Sequence, residues 1–280
     1  MSYKEEIKFN PCFGALEETT DVRDYKLKVK LASTYEFPEY FELNMCEIKN
    51  QGSVGSCVAH SIAETIEFHN KVQENITDKV SVGFIYGNRR GSLNKGSGMY
   101  VRQALHNTCK YGDVFNSLFP ENIEVPGIIN LFESRFESLK DKASPNRFST
   151  YFRLSSDNDI KYALMNYGPV VFAMNWYEDT TIENGILKVN SNSKKVGGHC
   201  MVIYGWTKEG WLIQNSWGKS WGKSGTAILP FNVKKSETWG ITDQITSENS
   251  YIKKSIFNTT LLRWLAKVIN WIINLFKKGK

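Results

Sequence analysis

The chain has 280 residues, 41% hydrophobic and 23% charged. That is the balance of an ordinary soluble globular protein, long enough for one large domain or two lobes, and it shows no internal repeat or low-complexity tract. The net charge of +6 is a property of one end. Seven basic residues and no acidic one fall between Asn249 and Lys280, and the remaining residues sum to −1, so nucleic-acid binding by the main body is not expected. Five cysteines, an odd number with no metal-ligand spacing, argue against a disulfide framework or a metal site and for a reducing compartment. The polar, charged start lacks a secretory apolar run, so the expected location is cytoplasmic or intracellular.

Residues 1–36 lack periodicity and read as an irregular arm. After Ser56, a plausible N-cap, the residues Val58, Ile62 and Ile66, with Ala59 and Ala63, trace one face of a helix that begins at Cys57. Further helices are expected near Tyr100–Tyr111, ending before Gly112, over roughly Gly127–Leu139, and from Asp157 to Tyr167 before Gly168-Pro169. From there the pattern becomes strand-like: Val170–Asn175, Ile186–Val189, Cys200–Trp206, Trp211–Gln214 and Thr226–Leu229. Helices first and strands second predict two segregated lobes with a site in the cleft between them.

Three motifs carry chemistry. Gln51-Gly-Ser-Val-Gly-Ser-Cys57 places a thiol at a helix start, where unsatisfied N–H groups and the helix dipole favour a thiolate. Gly197-Gly198-His199 opens an apolar strand 142 residues later, and Asn215-Ser216-Trp217-Gly218 follows after 16 more, a distance one hairpin closes. Of the four histidines, His199 is the expected partner of Cys57. His60, one turn along the same helix, reads as packing, and His69 and His106 as surface residues. The plainer reading of Cys57 is a small buried core residue.

In order and spacing these motifs resemble the papain family of cysteine peptidases, over about residues 37–232. The resemblance implies an α+β fold with a helical N-terminal lobe and an antiparallel β-sheet or barrel C-terminal lobe. The expected organisation is an arm (1–36), a peptidase domain (37–248; helical lobe about 50–140, β lobe about 145–235) and a tail (249–280). It implies Cys57 as nucleophile, His199 as general acid/base, Asn215 orienting His199, and Gln51 as an oxyanion-hole donor. Trp217 and Trp221 resemble the indoles that cover the His–Asn hydrogen bond in that family. Ser97, Gly98 and Gly198 match its substrate-binding edge, Gly98 best, because an extended peptide must approach backbone to backbone. Secreted members usually carry a disulfide-forming Cys three residues before the nucleophile, where this chain has Val54. Papain-type precursors also carry a prosegment of about a hundred residues, and nothing that long precedes Gln51 in this sequence.

The expected substrate is a peptide or protein, with no metal or organic cofactor. The same triad would serve an acyl transferase or ligase, and a papain-fold binding module without activity is the reading from outside enzymology. In the tail, polar residues at 259, 263, 267, 270, 274, 277 and 278 trace a narrow stripe opposite a wide apolar face with Trp264 and Trp271. An amphipathic helix over 257–278 would suit an anionic membrane surface, packing on the enzyme, or self-association.

Overall fold

The structure, a computed structural model, describes residues 12–242 apart from 20, 23 and 28–35. The expected tail helix and the first part of the arm lie outside the described residues.

The central element is α1 (Cys57–Glu74). Ser56 sits at its N-cap, but its hydroxyl does not cap the backbone; the Ser56 Oγ and carbonyl lie 3.2 and 3.0 Å from His60 Nδ1. At the other end Asn75 adopts the left-handed conformation (φ 57°) and returns its N–H to the Asn70 carbonyl. The sequence predicted one apolar face, yet every residue from Cys57 to Asn70 is buried, Glu64 and His69 included. The reason is tertiary. One side of α1 packs on α2 (Val82–Gly87) and α3 (Val101–Tyr111), the other on β5 (Val170–Tyr177) and β8 (Lys195–Trp206). His69, expected at the surface, is therefore enclosed, whereas His106 is exposed.

The helical lobe is completed by α4 (Gly127–Ala143), whose Phe132 and Phe136 join Phe84 of α2 in an aromatic cluster. Six-residue α2 is too short to show a helical period. Its Gly87 permits close packing, since a Cβ there would sit 2.7 Å from the Ile128 carbonyl oxygen.

Among the described residues the second lobe is a nine-stranded sheet. Besides β5 and β8 it contains β2 (Phe41–Glu42), β4 (Thr150–Arg153), β6 (Thr181–Glu183), β7 (Ile186–Lys188), β9 (Trp211–Gln214), β10 (Thr226–Leu229) and β11 (Glu237–Thr242). The order is β4-β11-β5-β8-β9-β10-β7-β6, with β2 also on β8. α5 (Asp157–Asn166) enters through a full Ser156/Asp159 capping box and packs on β5, β8 and β11. The expectation of an antiparallel β-sheet or barrel is corrected on both counts. The sheet is mixed, because β10 and β7 pair in parallel (Ile228↔Ile186), and among the described residues it is open, since β4 and β6 do not pair with each other. The arm occupies the edge that closure would need: the Tyr25 carbonyl accepts the Arg153 N–H (2.8 Å), and the Leu27 N–H reaches the Arg153 carbonyl (3.2 Å).

Alternation along β5 and β8 divides the interior. Val171, Ala173 and Cys200 face the helical core, while Phe172, Met174, Met201 and Ile203 face the core of the β lobe. The N-terminus of α1 abuts β8 at this division.

Burial raises the Glu64 carboxyl to about 8. The unfolded chain releases this proton near the ordinary 4.5 while the folded chain keeps it, so stability from the neutral form is lost as pH rises from about 4.5 to about 8. Glu64→Gln keeps the shape without the proton. Denaturant titration should show its stability advantage growing across that window by an order of a few kcal/mol and levelling above it; a pH-independent difference would contradict the buried, protonated state.

Candidate active site

Cys57 is fully buried at the first position of α1, and backbone N–H groups of Cys200, Gly14 and Val58 favour its anion. The contact with Cys200 places the sulfur beside the residue that follows His199. On β8, His199 faces Met174 of β5. β9 runs back with Gln214 opposite Val202, so Asn215 emerges next to His199. His199 Nε2 lies 2.7 Å from Asn215 Oδ1, which also accepts the Ser216 N–H at 2.7 Å. An Nε2–H donating to that oxygen leaves Nδ1 as the lone-pair nitrogen, buried with no hydrogen-bond partner among the described residues. The Trp217 ring stacks over the imidazole at 4.3 Å and 25°, and Trp221 meets Trp217 edge-on at 5.9 Å. Trp217 thus covers the imidazole, and Trp221 packs against Trp217.

Gln51 is clamped from both ends. Its Oε1 accepts from Ser216 Oγ (2.7 Å), and its Nε2 donates to the carbonyls of Val54 (2.9 Å) and Cys12 (3.2 Å). The amide therefore already meets a peptide carbonyl inside the cleft, and that carbonyl belongs to the arm.

Residues 12–16 fill the cleft. The Gly14 N–H donates to the Gly198 carbonyl (3.2 Å), and the Gly14 carbonyl accepts the Met99 N–H (2.7 Å). Then β1 (Ala15–Leu16) pairs in parallel with β3 (Met99–Tyr100). Glycines make room: a Cβ on Gly98 (φ +80°) would lie 2.7 Å from the Gly14 oxygen, and one on Gly198 2.1 Å from the Ala15 oxygen. Gly98 supplies clearance rather than hydrogen bonds, because its own N–H goes to the Tyr86 hydroxyl (3.3 Å) and its carbonyl is taken by Arg89 and Asn94. Ser97 is exposed, with its hydroxyl 3.3 Å from a Glu124 oxygen.

Burial dominates the electrostatics of this closed state. It pushes the Cys57 thiol up to about 12 and the His199 imidazole down to about 4, so both are neutral. His60, also fully buried, is likewise lowered to about 4 and bonds to Ser56, which fits packing rather than chemistry.

Beyond the cleft the arm is anchored by charge. Asp24 pairs with Arg102 (2.9 Å) and Arg153 (3.1 Å), Glu18 with Arg102 (3.1 Å) and Glu17 with Lys195 (2.5 Å). Sequence reasoning missed Cys12–Leu16, Ser216 and Glu124, which accepts the Gly55 N–H. The arm has no periodic signal, and the other two act through neighbours distant in sequence.

The described geometry agrees with comparison to known proteins. Residues 38–249 match the profile of the papain family cysteine protease, which is well over half the chain. The chain belongs to the papain family. A cysteine protease of Blomia tropicalis is 27% identical over 247 residues, covering 79% of this chain and 70% of that protein. An uncharacterized peptidase C1-like protein of Acanthamoeba polyphaga mimivirus is 29% identical over 213 residues, covering 67% and 65%. Cathepsin O of Mus musculus is 28% identical over 190 residues, covering 64% and 57%, so this papain-family chain spans between about half and three quarters of these relatives' lengths. Among solved structures, xylellain, a cysteine protease from Xylella fastidiosa, superposes with a TM-score of 0.72 at 21% identity, covering 83% of this chain and 96% of that one; this likeness speaks to the fold.

If the ion pairs hold the arm in place, Asp24→Ala should loosen it by leaving Arg102 and Arg153 without their shared carboxylate. Alkylation of Cys57 by an epoxysuccinyl probe, followed by mass spectrometry, should then accelerate about tenfold or more. An unchanged rate would show that the arm is held by the cleft alone.

Proposed function

We propose that the protein is a cysteine endopeptidase that hydrolyses peptide bonds of peptide or protein substrates through a thioester acyl-enzyme. The observation that carries this reading is the 2.7 Å His199–Asn215 contact beneath Trp217, beside a Cys57 that starts a helix. Once the arm leaves, water and the α1 N-terminus can stabilise a Cys57 thiolate against a His199 imidazolium. The thiolate attacks the substrate carbonyl carbon. The resulting oxyanion is met by the Gln51 amide and the Cys57 N–H, and the imidazolium gives its proton to the leaving amine. Neutral His199 then takes a proton from water as it attacks the thioester, and the acid product leaves with the thiolate restored. Asn215 keeps the imidazole in the tautomer that aims Nδ1 at the reaction.

Cys57→Ala and His199→Ala should each abolish turnover of a generic fluorogenic peptide. Asn215→Ala should leave residual activity, because it removes orientation. Gln51→Ala should lower kcat by roughly a hundredfold or more with little change in KM, as for a donor that strengthens its contact in the transition state. Full activity in His199→Ala with loss in His60→Ala would reassign the base.

For the tail, we propose peripheral attachment of an intracellular enzyme to an anionic membrane surface, supported by its basic stripe and two tryptophans. Full-length protein should sediment with anionic liposomes and a chain ending at Ser250 should not, while both cleave a soluble peptide. Equal sedimentation would reject the membrane role.

A further inference from the structure

The loop that leads into the nucleophile has no covalent tie. Val54 stands where secreted papain-like enzymes carry a disulfide-forming Cys, and all five cysteines of this chain are free. A carboxylate ties the loop instead. Glu124, in the segment before α4, accepts the buried Gly55 N–H on Oε1. Its Oε2 accepts the Tyr86 hydroxyl (3.0 Å) and the Val125 N–H (3.3 Å), and the Ser97 hydroxyl lies 3.4 Å from Oε1 and 3.3 Å from Oε2. Donors thus converge on both oxygens, which suits an ionised carboxylate, since it has lone pairs on each oxygen and no proton to give. They come from two parts of the cleft. Gly55 lies two residues before Cys57, whereas Ser97 belongs to the Ser97–Gly98 edge and the Tyr86 hydroxyl itself accepts the Gly98 N–H (3.3 Å). A Cβ on Gly55 would lie 2.5 Å from Ser97 Oγ and 3.3 Å from Glu124 Oε1, so loop and edge meet at this side chain.

The consequence for the chemistry runs through one peptide unit. The Gly55 N–H that Glu124 holds and the Val54 carbonyl belong to the same plane, and a peptide plane is stiff. That carbonyl accepts Gln51 Nε2 at 2.9 Å and the Ser56 N–H at 2.8 Å. One amide proton of Gln51 is thereby fixed on Val54. The other, which meets the Cys12 carbonyl at 3.2 Å, is left for an oxyanion when the arm leaves. We propose that Glu124 is a positioning residue for the oxyanion hole: it sets the Val54–Gly55 plane, the plane sets the Gln51 amide, and the same carboxylate ties both to the Ser97–Gly98 edge. This role rests on the peptidase reading above. Without the carboxylate the Gln51 amide is still present but no longer aimed, so the loss falls on the transition state, where its contact is strongest.

The test measures kcat of the full-length protein at saturating fluorogenic peptide. Glu124→Gln keeps the shape but offers one acceptor oxygen instead of two, and it should lower kcat about tenfold. In a Gln51→Ala background the same substitution should cost less than about twofold, because the amide it positions is gone. Equal losses in the two backgrounds would mean general damage and overturn the positioning role, as would an unchanged kcat. Glu124→Asp, which withdraws the oxygens by one methylene, should give the same pattern and carries the test if the Gln variant does not fold. A readout independent of turnover is hydrogen exchange of the Gln51 side-chain NH2, followed by NMR in the Cys57→Ala protein. Glu124→Gln should quicken that exchange about tenfold. If the protein with Cys57 intact hydrolyses nothing, faster exchange still supports the positioning role and tells against the peptidase. Unchanged exchange overturns the positioning role whether or not hydrolysis occurs.

Discussion

The packing of α1 against β8 is the constraint on which the rest depends. A helix start can favour a thiolate only where its N–H groups are aimed, and an imidazole can share a proton only at hydrogen-bond range. The burial of α1 from Cys57 to Asn70 against the strand that carries His199 sets where both groups stand. Small residues on the helix, Ala59, Ser61 and Ala63, let it sit between two lobes whose cores meet along β5 and β8. Cys57 and His199 therefore sit on packed elements, and the arm lies over them.

Burying that helix has an electrostatic cost that falls on its polar residues. Glu64 is held protonated, and His60 and His69 are held neutral, each lowered to about 4 by burial. Lys49 and Glu67 instead satisfy each other at 2.6 Å, and the same Glu67 oxygen accepts the Val80 N–H at 3.0 Å. The region behind the nucleophile is thus a mixture of one satisfied pair and several neutralised groups, which avoids isolated charge near the thiol.

The site was legible in the sequence because its chemistry needs particular residue types at particular turns. Cys57 at a helix start, His199 after two glycines and Asn215 one hairpin later each carry a local signal, and the resemblance to the papain family joined them into one site. The long elements were legible too: α3 and α4 start within a residue of where the periodicity puts them, and β9 and β10 match it in full. What escaped was decided at long range. Neither two-residue β1 nor six-residue α2 has a period to show. The all-round burial of α1 contradicts its one-sided apolar pattern because strands more than a hundred residues away cover the other side. The open, mixed sheet depends on where β7 meets β10 and on Tyr25 and Leu27 occupying the β4 edge, which no local signal specifies.

The arm strand in the cleft also has a kinetic meaning. A tethered occupant does not dilute, so its effective concentration is set by chain geometry and can reach the millimolar range for a short connection. The chain is then a competitive inhibitor of itself: the docking equilibrium multiplies the apparent KM for every substrate by one common factor and leaves kcat as it was. Selection on residues such as Glu17, Glu18 and Asp24, all remote from the sulfur, could therefore set the substrate concentration at which the enzyme begins to work without altering how fast it works when saturated.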